Sequence, residues 1–93
     1  LGIPAMYQGG TLDMGITPFV AKANGVYDQT RPPKYYIELD GAGHMAWTDL
    51  RSTYHAAILD YTVAFFDRYL KGKPFPQALT APHGVVSTVR IAD

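Results

Sequence analysis

Two apolar runs far apart in the chain do most to limit its fold: Ile3 to Gln8 (IPAMYQ) and Lys34 to Leu39 (KYYIEL). Each is short, bounded by glycine, proline or aspartate, and the second is rich in aromatic and β-branched residues, the pattern of strands. The first is apolar almost throughout, as a strand covered on both faces of a parallel sheet must be. Pro4 has no N–H to give to a ladder and is tolerated only near the strand's start. Residues 9–33 lie between the runs, too many for a hairpin and enough for a helical crossover. Such a connection makes the strands parallel and the crossover right-handed.

Inside that crossover, Thr17-Pro18 sets a capping hydroxyl before a proline at the first helical position, and Asn24-Gly25 supplies a stop. A short helix is expected over about 18–24. Val26 to Thr30 can add a turn before Pro32-Pro33. From about Asp49 to Lys71 the apolar period becomes helical, with Tyr54, Ile58, Tyr61, Phe65 and Tyr69 on one face. Thr48 or Asp49 can cap its start. Ala57, Val63, Ala64 and Phe66 widen the stripe, while Thr53, Asp60, Asp67 and Lys71 mark a wet side. Gly72 and Pro74 end it. The expected class is therefore α/β, in the order βαβα over residues 1–72. Residues 73–93 follow as a proline-containing arm, in which Val85 to Ile91 has the residue types of an edge strand or of a loose tail.

Hydrophobic residues make up 47% of the chain and aromatic ones 13%, so the segment has the material for a packed core and is unlike a disordered chain. Eight basic residues balance eight acidic ones without runs of either sign, and nucleic acid is not an expected partner. No apolar stretch approaches the roughly 20 residues of a membrane span. The absence of cysteine excludes a disulfide framework, a thiolate nucleophile and a cysteine metal site, without assigning a compartment. The chain opens at Leu1 almost directly into a strand, so it is expected to be a piece of something longer. Two parallel strands and one long helix cannot cover both faces of a sheet, so the isolated chain is expected to expose apolar surface and to self-associate.

In open parallel sheets, functional groups collect in the loops at the carboxyl ends of the strands. Here each such loop carries a titratable residue: Asp13 after the first strand, and His44 after the second, in the small-residue stretch Asp40-Gly41-Ala42-Gly43. An aspartate beside a histidine can hold its Nδ1 hydrogen and stabilise the imidazolium formed when Nε2 takes a proton from a nucleophile. Asp40 and Asp49 are rival partners, although each also suits a turn or an N-cap. Neither Ser52 nor Ser87 has the flanking glycines of a G-x-S-x-G nucleophile turn. His55 and His83 have no ligand-spaced partner, so no metal site is expected. Gly9-Gly10 lacks the G-x-G-x-x-G pattern, and no cofactor is implied. Trp47 can serve equally as a binding platform or as packing at the helix entry.

The stretch GGTLDMGITP resembles the acid-loop motif of α/β-hydrolases, and LDGAGHMAWTD resembles their histidine loop. More narrowly, KYYIELDGAGHMAWTDL and the helix ending FFDRYLKG are similar to the C-terminal regions of dienelactone-hydrolase-like enzymes, polyester-degrading cutinases and platelet-activating-factor acetylhydrolases. The resemblance covers about residues 3–72. It implies a triad with Asp13 as the acid and His44 as the general base, with Met45 and Trp47 lining the substrate cleft. In that family the order along the chain is serine, acid, histidine, so the serine and the oxyanion donors are expected upstream of Leu1. Bacterial cutinases often end in a disulfide, and this chain has no cysteine to form one. The implied activity is hydrolysis of a carboxylic ester or lactone through an acyl-enzyme, with the segment inert by itself. A non-catalytic module that self-associates or binds a partner is the alternative, as is a peptidase or thioesterase on the same scaffold.

Overall fold

The computed structural model of the chain describes residues 3–43 and 54–92. Three strands form one mixed sheet: β1 (Ala5–Gly10), β2 (Lys34–Leu39) and β3 (Val86–Ala92), in the order β1-β2-β3. Two short helices, α1 (Thr17–Ala21) and α2 (Val26–Gln29), make the crossover from β1 to β2. The long helix α3 (His55–Leu70) and a 3-10 turn at Gln77–Leu79 lead to β3. An α/β architecture is thus present, with β1 and β2 parallel and in register from Ala5 opposite Lys34 to Gly10 opposite Leu39.

β2 spans the residues expected of it, and β1 does not. It begins at Ala5, whose N–H donates to the Pro33 carbonyl (3.1 Å), and it runs on through Gly9 and Gly10, both buried. α1 is shorter than the expected 18–24. Thr17 lies inside it, and Ile16 occupies the capping position. The Thr17 hydroxyl instead accepts the buried Gly10 N–H (3.1 Å). α1 stops when Lys22 turns extended, and Asn24 takes a left-handed φ of 61°, a conformation that asparagine tolerates better than most residues. α3 is described from His55, so the expected start near Asp49 and the Thr48 or Asp49 cap lie outside the described residues. Its end falls at Leu70, with the N–H groups of Lys71 and Lys73 both reaching the Asp67 carbonyl (3.1 Å each) around Gly72.

β3 pairs antiparallel with β2, from Lys34 opposite Ala92 to Leu39 opposite Val86, so β2 is the central strand. This position explains its burial: Tyr35, Tyr36, Ile37 and Leu39 are each 1% exposed. Successive side chains of a strand point to opposite faces. On one face Tyr35 meets Phe65, Tyr69 and Phe75, at centroid separations of 5.4, 6.1 and 4.9 Å. On the same side, Ile37 and Leu39 pack with Tyr61, Ala42 and Val86 in the core cluster. On the other face the crossover supplies Tyr27, edge-on to Tyr36 at 6.1 Å and itself buried. The crossover therefore covers the side of β2 that α3 leaves open. Arg90 of β3 ties this layer down, pairing with Asp28 at 3.0 Å and lying over the Tyr27 ring at 4.4 Å.

The helical stripe falls as its period predicts, with Tyr61 and Ala64 buried and Tyr54, Ile58, Phe65 and Tyr69 half-buried. Val63 and Phe66 differ from expectation. They are about half exposed and join Leu59 and Leu70 in an apolar row along the outer side of α3. Among the described residues, no helix is long and apolar enough to cross a membrane.

Three buried phenols make stability sensitive to alkali. Burial raises Tyr27, an effect that Arg90 partly offsets and Asp28 reinforces. Burial and the hydrogen bond that Tyr36 donates to Glu38 Oε1 (2.6 Å) push Tyr36 far above the ordinary range. Burial and Asp60 raise Tyr61. A raised folded-state pKa means that the native state holds its protons longer than the unfolded chain, whose tyrosines titrate near pH 10. The contribution to stability is then complete below about pH 10 and is lost as pH climbs beyond it. In an alkaline titration, tyrosinate absorbance from these three rings should appear together with loss of helical circular dichroism. Ionisation of all seven tyrosines near pH 10 in a still-folded chain would contradict this.

Candidate active site

The parallel pairing of β1 and β2 brings both strands to one rim, where Gly10 faces Leu39. Beyond that rim the two loops stay bonded to each other. The Thr11 N–H donates to the Leu39 carbonyl (3.1 Å), and the Leu12 N–H donates to the Ala42 carbonyl (3.0 Å). Their approach is so close that a Cβ built on Gly10 would lie 2.1 Å from the Ala42 oxygen. Glycine is therefore a steric requirement at this crossing.

Asp13 stands one residue past this contact. Its N–H donates to the Gly10 carbonyl (3.1 Å), closing a tight turn, and its own carbonyl accepts the N–H of Thr17 (3.0 Å) at the entry to α1. The backbone of Asp13 is thus fixed by the strand on one side and the helix on the other. Its side chain is half-buried, between exposed Leu12 and Met14.

The second loop leaves β2 through Asp40-Gly41-Ala42-Gly43 and is fastened at its base on several sides. The Asp40 N–H donates to the Val85 carbonyl (2.7 Å), and the Asp40 carbonyl accepts the Tyr54 hydroxyl (2.9 Å). The Gly41 N–H donates to Thr11 Oγ1 (2.7 Å), with Gly41 at a φ of +79° that favours glycine. Ala42 is fully buried. His44, Met45 and Trp47, the other residues expected in the site, lie outside the described residues, as do Asp49 and Ser52. The structure therefore brings Asp13 beside Asp40-Gly41-Ala42-Gly43, the stretch that precedes His44 in the sequence.

Of the rival acids, Asp40 is exposed and is used as a turn residue. Among the described residues, its carboxylate receives a long contact from the Thr11 hydroxyl (3.5 Å). His83 is exposed, with its ring stacked on Tyr61 (6.1 Å) and Nδ1 near the Ala81 carbonyl (3.0 Å). His55 is half-buried at the start of α3. Ser87 is an exposed strand residue whose hydroxyl donates to the Glu38 carbonyl (3.3 Å). Among the described residues, no cluster of three His, Cys, Asp or Glu is placed to hold a metal. A groove lined, among the described residues, by Met6, Gln8, Thr62, Phe65 and Phe66 lies between β1 and α3, and Asp13 is not part of that lining.

Thr11 and Tyr54 are the site residues that sequence reasoning missed. Thr11 sits between the glycine pair and Leu12-Asp13, and a hydroxyl two residues before a candidate acid was the signal available. In the sequence Tyr54 carries no signal beyond its place in the helical stripe. No protein-family model, curated protein or solved structure matches the chain.

Proposed function

We propose that this chain is the acid- and histidine-bearing part of a serine hydrolase of the α/β-hydrolase type, cleaving carboxylic esters or lactones through an acyl-enzyme. One observation carries the reading: the Leu12 N–H to Ala42 carbonyl bond of 3.0 Å. It joins the residue before Asp13 to the residue two before His44, across the carboxyl ends of neighbouring parallel strands. Asp13 would orient and stabilise the His44 imidazole. His44 would take the proton of a serine hydroxyl as its oxygen attacks the ester carbonyl, then pass that proton to the leaving alcohol. Water would repeat the sequence to release the acid. Met45 and Trp47 would line the acyl cleft, as the resemblance implies. The serine and the oxyanion donors would come from a preceding part of the same polypeptide, because neither Ser52 nor Ser87 has the glycine-flanked setting of a nucleophile turn.

A fluorophosphonate probe tests this class on the complete enzyme. The activated serine oxygen displaces fluoride and retains the phosphonyl group, so one labelled serine in a G-x-S-x-G sequence upstream of Leu1 is expected. Absence of labelling, together with sedimentation of the chain as a discrete oligomer, would favour a non-catalytic self-associating module. The observation behind that second role is the exposed row of Leu59, Val63, Phe66 and Leu70 on α3, since apolar patches of this kind mark interaction surfaces.

A further inference from the structure

We infer that Thr11 is a positioning residue, whose hydroxyl sets the distance between the Asp13 loop and the turn that delivers His44. This role rests on the hydrolase reading above. Thr11 is bound on both sides of the rim. Its N–H donates to the Leu39 carbonyl at 3.1 Å, and its Oγ1 accepts the Gly41 N–H at 2.7 Å. The same hydroxyl lies 3.5 Å from Asp40 Oδ1. One residue thus holds the last residue of β2 and the second residue of the following turn, while Asp13 follows it by two positions on its own loop. Gly41 has a positive φ, and its peptide N–H points to the β1 loop, where Thr11 Oγ1, among the described residues, accepts it.

The inference concerns geometry and not contact with substrate. An acid–histidine pair works only when the carboxylate meets Nδ1 at hydrogen-bond distance, and displacements of about 1 Å can cost roughly a hundredfold in rate. With the Thr11 hydroxyl removed, the Gly41 N–H must find water or rotate, and the rim loses one of its described bonds while those of the Thr11 and Leu12 N–H groups remain. The carboxylate then stabilises the imidazolium less, which lowers the histidine's pKa.

The test compares Thr11→Val, Thr11→Ala and Thr11→Ser in the complete enzyme, by steady-state ester hydrolysis across pH. Valine and alanine should lower kcat by about tenfold to a hundredfold, with KM little changed, and should move the acidic limb of the kcat/KM profile to lower pH. Serine keeps the acceptor and should restore both. Alanine removes the acceptor without placing a new methyl against the Gly41 N–H, so it carries the test should the valine variant not fold. Parent-like kcat and pH profile in the alanine variant, or failure of serine to restore them, would overturn the positioning role. Asp13→Asn and His44→Ala measured alongside separate the two levels. If both are inactive while Thr11→Ala is parent-like, only this inference falls; if both stay active, the hydrolase reading falls and takes it along.

Discussion

His44→Ala should reduce turnover of a short-chain nitrophenyl ester by the complete enzyme by about a millionfold, to near the background rate. That is roughly 8 kcal/mol of transition-state stabilisation, an effect reserved for a group that moves the proton in the rate-limiting chemistry. The substitution removes the only base proposed to act on the serine. It leaves Thr11, Asp40, Ala42 and Tyr54, which fasten the loop's base, in place. Unchanged circular dichroism and thermal midpoint should therefore accompany the loss. Hydrolysis persisting near the parent's rate would remove His44 from the mechanism.

Gly10→Ala should be the most damaging single-methyl change in the described part of the chain. The added Cβ would lie 2.1 Å from the Ala42 oxygen, 2.7 Å from its carbonyl carbon and 2.8 Å from its Cβ. Two of these atoms are backbone and the third is a methyl fixed to it, so no rotamer change relieves the clash. Either β1 slides away from β2 or the Ala42 turn lifts. Both movements strain the Leu12–Ala42 bond and threaten the Gly10 N–H to Thr17 bond. Overpacking of this kind costs up to about 3 kcal/mol, a drop of roughly 12–24 °C in thermal midpoint for a domain of this size. On the proposed hydrolase reading activity should fall with it, since the segments that follow β1 and β2 part at the same point. Gly15→Ala is the control: a Cβ there meets nothing within 4 Å. Denaturant unfolding of the two variants checks the claim, and equal stabilities would refute the steric account of the rim.

The crossover logic was legible because it depends on chain length between two apolar runs, and β2 lies where its aromatic and β-branched residues put it. β1 was displaced by two residues at each end because glycine read in isolation is a stop signal. Gly10 belongs to the strand for a reason that sits far along the sequence, in the carbonyl of Ala42. Thr17 failed in the same manner. Its local pattern is that of a helix cap, yet its hydroxyl serves a buried N–H of β1. The helical period identified which residues of α3 are apolar but not which sides are covered, so Val63 and Phe66 were assigned to the stripe although they stand half exposed. The place of Asp13 at the rim followed from strand order. The bond between Thr11 and Gly41 did not, since its faint trace, a hydroxyl two residues before the candidate acid, does not name the partner across the rim.

The antiparallel seat of β3 has a consequence for how the molecule is made. A ribosome delivers β3 after every other described element, and until it arrives one flank of the central strand lacks its partner strand. The amide of Asp40, at the root of the histidine loop, meets the Val85 carbonyl only then, and Arg90 only then clasps Asp28 and Tyr27. Among the described elements β3 thus acts as a keystone, since the carboxyl end of β2 is bonded on both flanks only once that strand is seated.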